Sequence, residues 1–135
     1  MDYYMNDINV YQRLENEYKK YGKLIICVDY DDTIYDFHQK GRDYCDVINL
    51  LKRWKDHAEI IIWTGCSEEK YFEMEVYLHK YGIPYQGINI NSSVDFGGRK
   101  VYANAYLDDR AGLSTIVNCL TTLIDKIEKG EINYD

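Results

Sequence analysis

The chain has 135 residues, of which 46% are hydrophobic and 29% charged, and its formal net charge is −7. This length predicts one domain that can bury a core, and no apolar run approaches the roughly 18 residues that cross a membrane. The acidic charge argues against extensive binding to nucleic acid or to an anionic membrane. The start of the chain lacks the basic and apolar segments of a signal peptide, so we expect a cytoplasmic protein.

The N-terminal part of the chain predicts a helix followed by a strand. Apolar residues recur at helical spacing through residues 6–21, and Gly22 follows as a stop signal. We assign residues 1–22 to a helical extension packed on the core, and residues 23–135 to the main domain. The apolar run at 24–29 is short and β-branched, which is typical of a buried parallel strand.

Closely spaced carboxylates end this first strand. Asp29 and Asp31 are two residues apart, so in an extended chain both side chains point to the same side. They would project from the carboxyl end of the strand, where open α/β sheets place their ligands. Two adjacent carboxylates repel each other unless a cation or a shared proton lies between them. Taken by itself, the segment could also be an acidic turn without a ligand.

The rest of the chain alternates between helical and strand patterns. We predict a turn or flap at residues 34–42. Helices are predicted at residues 44–56, 67–80 and 111–129, and further strands at residues 59–63, 86–90 and 103–107. Ser67 is the predicted N-cap of the middle helix. Such alternation predicts an α/β fold whose parallel sheet is covered on both faces.

Polar residues also follow the later strands. Thr64 and Gly65 follow the second strand, Asp108 and Asp109 follow the last one, and Lys100 is a candidate fixed cation just upstream. Taken singly, each has an ordinary explanation: Thr64 as a strand-end hydroxyl, the Asp108-Asp109 pair as a helix cap, and Lys100 as a solvated lysine. Four carboxylates that converge without a cation would be costly, so the set together favours a cation site.

The cysteines and histidines predict neither a disulfide framework nor a zinc site. Cys27 lies in the first strand and Cys119 in an apolar helical pattern, so both are predicted to be reduced core residues. Cys66 lies near the candidate site, but no histidine is paired with it, which argues against a catalytic role.

In order, Asp-x-Asp-x-Thr, Thr, Lys and Asp-Asp resemble the four motifs of the haloacid dehalogenase (HAD) superfamily of phosphotransferases. The resemblance covers roughly residues 23–125 and makes the main domain a HAD-like catalytic domain. It implies a Rossmann-like three-layer sandwich with a mostly parallel central sheet. The gaps between the motifs have no room for a cap domain, so the chain resembles a small capless member. Asp32 departs from the pattern, because glycine is commonest there.

The resemblance implies a role for each motif residue. Asp29 would be the nucleophile that forms an aspartyl-phosphate, and Asp31 the general acid and base. Thr64 would hydrogen-bond the transferring phosphoryl oxygens, and Lys100 would neutralise charge that builds there.

A Mg²⁺ ion is also implied, since Mg²⁺ takes oxygen ligands and bridges carboxylates to phosphate. Its ligands would be Asp29, the backbone carbonyl of Asp31 and one acid of the Asp108-Asp109 pair. The motif favours Asp109 as the direct ligand, with Asp108 orienting the lysine or a metal-bound water, and the reverse assignment stays open.

The expected substrate-binding set contains Thr33, Gly65 and Arg99, although Thr33 is expected to shape the turn and support the aspartates more than to touch substrate. Other substrate-facing side chains are expected on the flap and on the later loop: Tyr35, Phe37, His38, Ser92 and Ser93.

The function implied is that of a Mg²⁺-dependent phosphomonoesterase acting on a small phosphorylated substrate, such as a nucleotide or a sugar phosphate. The phosphorylated end of a polynucleotide or a phosphoprotein is the alternative substrate. From another class, a phospho-accepting receiver-like signalling domain shares the acidic cluster, but it needs an aspartate at the end of a middle strand. This chain offers Thr64-Gly65 or Asn89-Ile90-Asn91 there. A third alternative, a HAD-like binding module, fits less well with four intact motifs, and the sequence leaves the oligomeric state open.

Overall fold

A computed structural model describes residues 1–134, so residue 135, the last of the predicted main domain, lies outside the described residues. Four helices and four strands form this part of the chain: α1 (Asp7–Tyr21), β1 (Leu24–Asp29), α2 (Cys45–Trp54), β2 (Ala58–Trp63), α3 (Tyr71–Lys80), β3 (Gly87–Ile88), β4 (Ala105–Leu107) and α4 (Leu113–Glu128). The sheet has the order β3-β2-β1-β4, and every strand pair is parallel. The predicted Rossmann-like α/β fold is confirmed.

Strand β1 lies inside the sheet, between β2 and β4. Its side chains alternate between two apolar clusters: Leu24, Ile26 and Val28 belong to the large core, whereas Cys27 belongs to a smaller cluster on the other face. Both faces of the strand are therefore buried. This explains why the sequence is almost continuously apolar here, instead of alternating between apolar and polar residues.

The helices pack on one face of the sheet. Each contributes buried side chains to the large core, including Leu14 of α1, Leu51 of α2, Leu78 of α3 and Leu120 of α4. The α1 helix packs mainly against α4. The helical layer is thus continuous and includes the N-terminal helix.

The connection between β3 and β4 covers the opposite face. Val101 of this connection packs with Cys27 and Ile61 in the smaller cluster, and Tyr106 packs against them from β4. After β3 the chain must return across the whole sheet to reach β4 beside β1. A right-handed crossover in this reversed direction has to run over the face opposite to α2 and α3. The segment 89–104 is therefore the third layer, and it contains no helix.

Two local predictions differ from the structure. Glu68–Lys70 form a single 3₁₀ turn before α3, and the side chain of Ser67 makes no capping hydrogen bond, so its predicted N-cap role is wrong. Strand β3 has only two residues because Asn89 follows it with φ 56°, a left-handed conformation that ends an extended chain.

Cys27 and Cys119 are free and buried, as predicted. None of the helices in the described residues is both long and apolar enough to cross a bilayer.

Candidate active site

Three carboxylates meet where β1 and β4 end side by side. Asp29 is the last residue of β1, and Asp108 and Asp109 directly follow β4. Because Val28 pairs with Leu107 in a parallel ladder, both strands deliver their acids to the same edge of the sheet. One carboxylate oxygen from each residue lies within 4.8 Å of the others. The fold thus joins the first and the last predicted motif.

Thr33 holds two of these acids. Its side chain is fully buried, and its hydroxyl oxygen lies 3.1 Å from Asp29 Oδ2, 3.1 Å from Asp109 Oδ1 and 3.0 Å from the Asp109 backbone nitrogen. The hydroxyl accepts from that amide and donates its single proton to the carboxylates. A fully buried side chain cannot contact substrate, so Thr33 is a positioning residue and its place in the substrate-binding set is corrected.

The negative charges of the three clustered carboxylates repel one another. Burial, a hydrogen bond with the Asp109 carboxyl and the charge of Asp108 raise the pKa of Asp29 from 3.8 to about 7. Among the described residues no basic side chain forms an ion pair with any of the three acids. An all-oxygen donor set that needs positive charge fits a hard divalent cation such as Mg²⁺.

The Asp31 carboxylate is not one of the three that meet in this cluster. β1 ends at Asp29, Asp31 forms an isolated parallel bridge with Tyr35, and the turn that follows contains Asp32 with φ 61°. The Asp31 carboxylate instead accepts a hydrogen bond from the Cys66 thiol, with 3.8 Å between Sγ and Oδ2. Burial raises its pKa as well, against the lowering effect of that hydrogen bond.

Asp32 has a left-handed conformation at the position where the resemblance leads us to expect glycine. A residue with φ near +60° has little strain only when it is glycine, or asparagine or aspartate. Here the Asp32 carboxylate is also paired with His38, whose Nδ1 lies 2.7 Å from Oδ2. The imidazole of the flap residue His38 is thus bound to the Asp32 carboxylate.

Thr64 is held at the end of β2 by a residue that the sequence interpretation did not assign to the site. The Asn89 side chain accepts from the Thr64 amide and donates to the Thr64 carbonyl, both at 2.8 Å. It also donates to the Tyr71 hydroxyl at 2.9 Å. The Thr64 hydroxyl accepts from the Cys66 amide at 3.1 Å, which leaves its own proton available to a ligand. Asn89 follows β3, so the strand-end rule that selected Thr64 could have selected Asn89 too.

Lys100 lies on the same face of the sheet as the carboxylates but forms no ion pair with them. Its Nζ lies 5.1 Å from the centre of the Tyr106 ring. Tyr106 and Asp108 are two residues apart at the end of β4, so their side chains share one side and are separated by about 7 Å. The exposed Lys100 amino group therefore lies beside Tyr106, two residues before Asp108 along the chain.

The other predicted loop residues lie in two segments, the turn after β2 and the connection between β3 and β4. Gly65 is exposed directly after Thr64, and Arg99 is exposed in the segment 89–104. Ser93 donates a hydrogen bond to Glu59 at 2.9 Å, and Glu59 lies at the beginning of β2, toward the opposite edge of the sheet. Ser92 accepts from the Val94 amide within the same loop. The Ser93 hydroxyl is therefore engaged by Glu59, and the Ser92 hydroxyl by the backbone of its own loop.

A cavity of about 280 Å³ opens beside Asp31 and is called the aromatic cavity below. The flap residues Tyr35 and Phe37, which were predicted to face substrate, line it. The other lining residues come from the segment that follows β1, from the turn after β2 and from α3: Tyr30, Asp31, Gln39, Cys66, Lys70, Glu73, Met74 and Tyr77. Lys70 was not singled out in the sequence because nothing in its neighbourhood marks it as different from a solvated lysine.

Comparisons with known proteins show the fold and nothing further. No family model matches the chain, and no curated protein matches it significantly. One similar solved structure is that of a conserved protein from Bacteroides thetaiotaomicron, with 20% sequence identity and a TM-score of 0.59. The match covers 80% of this chain and 92% of the other.

Proposed function

We propose that this protein is a Mg²⁺-dependent phosphomonoesterase of the HAD type that acts through an aspartyl-phosphate on Asp29. The observation that carries the proposal is the convergence of Asp29, Asp108 and Asp109 around the buried hydroxyl of Thr33. The order of the motifs along the chain supports it, because these same positions carry the HAD resemblance.

Asp29 would attack the phosphorus atom of a phosphomonoester. A carboxylate and a phosphate dianion repel each other, and Mg²⁺ would supply the positive charge that offsets this repulsion. Asp29, Asp109 or Asp108, and the backbone carbonyl of Asp31 would hold the ion. As the bond between Asp29 and phosphorus forms, the ester oxygen leaves with a proton from Asp31. A water that returns its proton to Asp31 then hydrolyses the aspartyl-phosphate to inorganic phosphate.

Two further residues would stabilise the transferring group. Thr64 has a hydroxyl proton that it can donate to a phosphoryl oxygen, since the oxygen of that hydroxyl already accepts from Cys66. Lys100 lies over the Tyr106 ring and would swing from it toward the phosphoryl oxygens. The proposed setting is the cytoplasm, because free thiols at Cys27, Cys45, Cys66 and Cys119 are typical of a reducing compartment.

The test is hydrolysis of p-nitrophenyl phosphate by the purified full chain, with Mg²⁺ or with EDTA, beside the Asp29→Asn variant. We expect turnover that requires the metal and falls at least about 1,000-fold in Asp29→Asn. The matched control is Asp56→Asn, since Asp56 is exposed in the turn before β2, at the opposite edge of the sheet.

Turnover that survives EDTA or the Asp29→Asn substitution would refute the proposal. Acetyl phosphate separates it from the receiver-like alternative. A stable Asp29-linked phosphate without release of inorganic phosphate would support a receiver, whereas steady release supports a phosphatase.

A further inference from the structure

We propose that the substrate carries a planar aromatic ring on the leaving-group side of its phosphate, and that this ring binds in the aromatic cavity. The inference rests on the proposed function, because it takes Asp31 as the acid that protonates the leaving oxygen. Asp31 itself lines the cavity. The leaving group must lie against that carboxyl, so the cavity is where the rest of the leaving group extends.

The aromatic wall of the cavity is preformed. The Tyr30 and Tyr35 rings stack with centroids 5.1 Å apart, and the Tyr77 ring meets them edge-on at 5.8 and 5.0 Å. The Tyr77 hydroxyl donates to the Ile34 carbonyl at 2.6 Å, which ties α3 to the flap. A wall whose rings are already packed against one another loses little conformational freedom when a ligand binds.

Phe37 is the aromatic side chain that this wall leaves available. It is 51% exposed, and its one aromatic neighbour in the described residues is His38, which it meets at 90° with centroids 5.0 Å apart. The Phe37 amide donates to the Tyr35 carbonyl at 2.9 Å, so the backbone of this exposed residue is held. An exposed ring on a fixed backbone at a cavity is suited to stacking on a planar ligand.

Polar groups at the cavity suit a heteroaromatic ring. Lys70 and Gln39 can donate hydrogen bonds, and Gln39 and Glu73 can accept them, all on the lining of the same cavity. Its volume of about 280 Å³ is at the lower end for small-molecule sites, which suits a single ring system. A nucleobase and a simple aryl group share the planar ring, and only the nucleobase can use the polar lining.

The experiment measures kcat/KM with Mg²⁺ for a nucleoside 5′-monophosphate, phenyl phosphate, glycerol 3-phosphate and glucose 6-phosphate, in the wild type and in Phe37→Ala. We expect Phe37→Ala to lower kcat/KM about 10-fold for the two ring-bearing esters, mainly through KM, because one stacking contact is lost. The values for the two aliphatic esters should stay within about twofold. Phe72→Ala is the matched control, since Phe72 is 77% exposed on α3 and does not line the cavity.

A kcat/KM that is higher for the nucleoside monophosphate than for phenyl phosphate, with the difference lost in Lys70→Ala, would identify a nucleobase as the ring. A kcat/KM for phenyl phosphate that equals or exceeds that of the nucleoside monophosphate would identify a simple aryl group. Equal loss for all four esters in Phe37→Ala, or no loss for any, would overturn the inference and leave the phosphatase standing. If no ester, acetyl phosphate included, shows Asp29-dependent turnover, both proposals fail.

Discussion

The backbone amide of Asp109 donates a hydrogen bond to the Thr33 hydroxyl, 3.0 Å away, across 76 residues of chain. This contact fixes the end of β4 to the turn after β1, and the same hydroxyl reaches the carboxylates of Asp29 and Asp109. The relative position of the two acids thus depends on one buried oxygen.

Thr33→Val keeps the shape of the side chain and removes this oxygen. We expect a loss of about 1–3 kcal/mol in the free energy of unfolding, because the Asp109 amide and two carboxylates lose a buried partner. We also expect Mg²⁺ affinity to fall by about 10- to 100-fold, as is usual when a group that orients metal ligands is removed. Urea unfolding and calorimetric Mg²⁺ titration measure the two effects. Thr33→Ser restores the hydroxyl and should recover the affinity; failure of the serine variant to do so would show that packing of the methyl group dominates.

The raised pKa of Asp29 predicts how stability depends on pH in EDTA. The unfolded chain loses this proton near pH 3.8, whereas the folded protein keeps it until about pH 7. Between these values the folded state binds more protons, so the contribution of Asp29 to the free energy of unfolding is full below about pH 4 and is lost as pH rises through 7. Thermal unfolding from pH 4 to 8 should show the wild type losing stability relative to Asp29→Asn.

Mg²⁺ should reverse this loss above pH 7, since an ion that binds only the folded state raises the melting temperature by mass action. Asp56→Asn should follow the wild type throughout, with and without the ion. Melting temperatures of wild type and Asp29→Asn that run parallel over the whole pH range would contradict the assigned titration.

Lys100 and Lys70 compete for the role of the cation that faces the phosphoryl group. Lys100 lies on the sheet face that carries the acids, and Lys70 lines the cavity beside Asp31. We expect Lys100→Ala to lower kcat about 100-fold, the usual cost of removing one group that stabilises transition-state charge. Lys70→Ala should leave kcat within about twofold of the wild type, because Lys70 lies on the lining of the cavity for the leaving group. Steady-state kinetics on p-nitrophenyl phosphate distinguish the two lysines, and the opposite pattern would transfer the role to Lys70.

Asn89 should act through Thr64. Asn89→Ala removes both hydrogen bonds to the Thr64 backbone, so we expect kcat to fall about 10-fold or more because a small displacement of a transition-state donor is costly. KM should change less than kcat. Asn91→Ala, two residues later in the same loop, is the control. The double variant combines Asn89→Ala with Thr64→Ala. If the two single variants and the double variant all lose the same activity, the asparagine acts only through Thr64. Additive losses in the double variant would indicate a separate role.

Asn104 stabilises the fold away from the site. Its side-chain oxygen accepts from the Ile25 backbone amide at 2.6 Å, and the Asn104 backbone amide donates to the Ile25 carbonyl at 2.8 Å. Asn104→Ala leaves a buried amide of β1 without a partner, which should cost about 1–3 kcal/mol of unfolding free energy. Chemical denaturation measures this, with the exposed Asn118→Ala as control, and kcat/KM should stay within about twofold per folded molecule.

Patterns within one segment of chain predicted the elements well. The apolar run of β1 and the stripe of α4 are local signals, because burial on both faces or on one face is encoded in adjacent residues. The acids after β1 and β4 could be assigned to one site because parallel strands end at a common edge. Local chemistry was less reliable where a short turn intervened, as at Ser67, which a 3₁₀ turn separates from α3.

The sequence by itself determined the α/β class, the position of the acidic motifs at strand ends and the chemistry that such motifs can support. Each follows from residue spacing along one strand or helix. Only the tertiary structure decided that Thr33 joins Asp29 to Asp109, that Asn89 holds Thr64, and that the aromatic cavity opens beside Asp31. These contacts link residues up to 76 positions apart. They depend on strand order and on the path of a crossover, which no local spacing specifies.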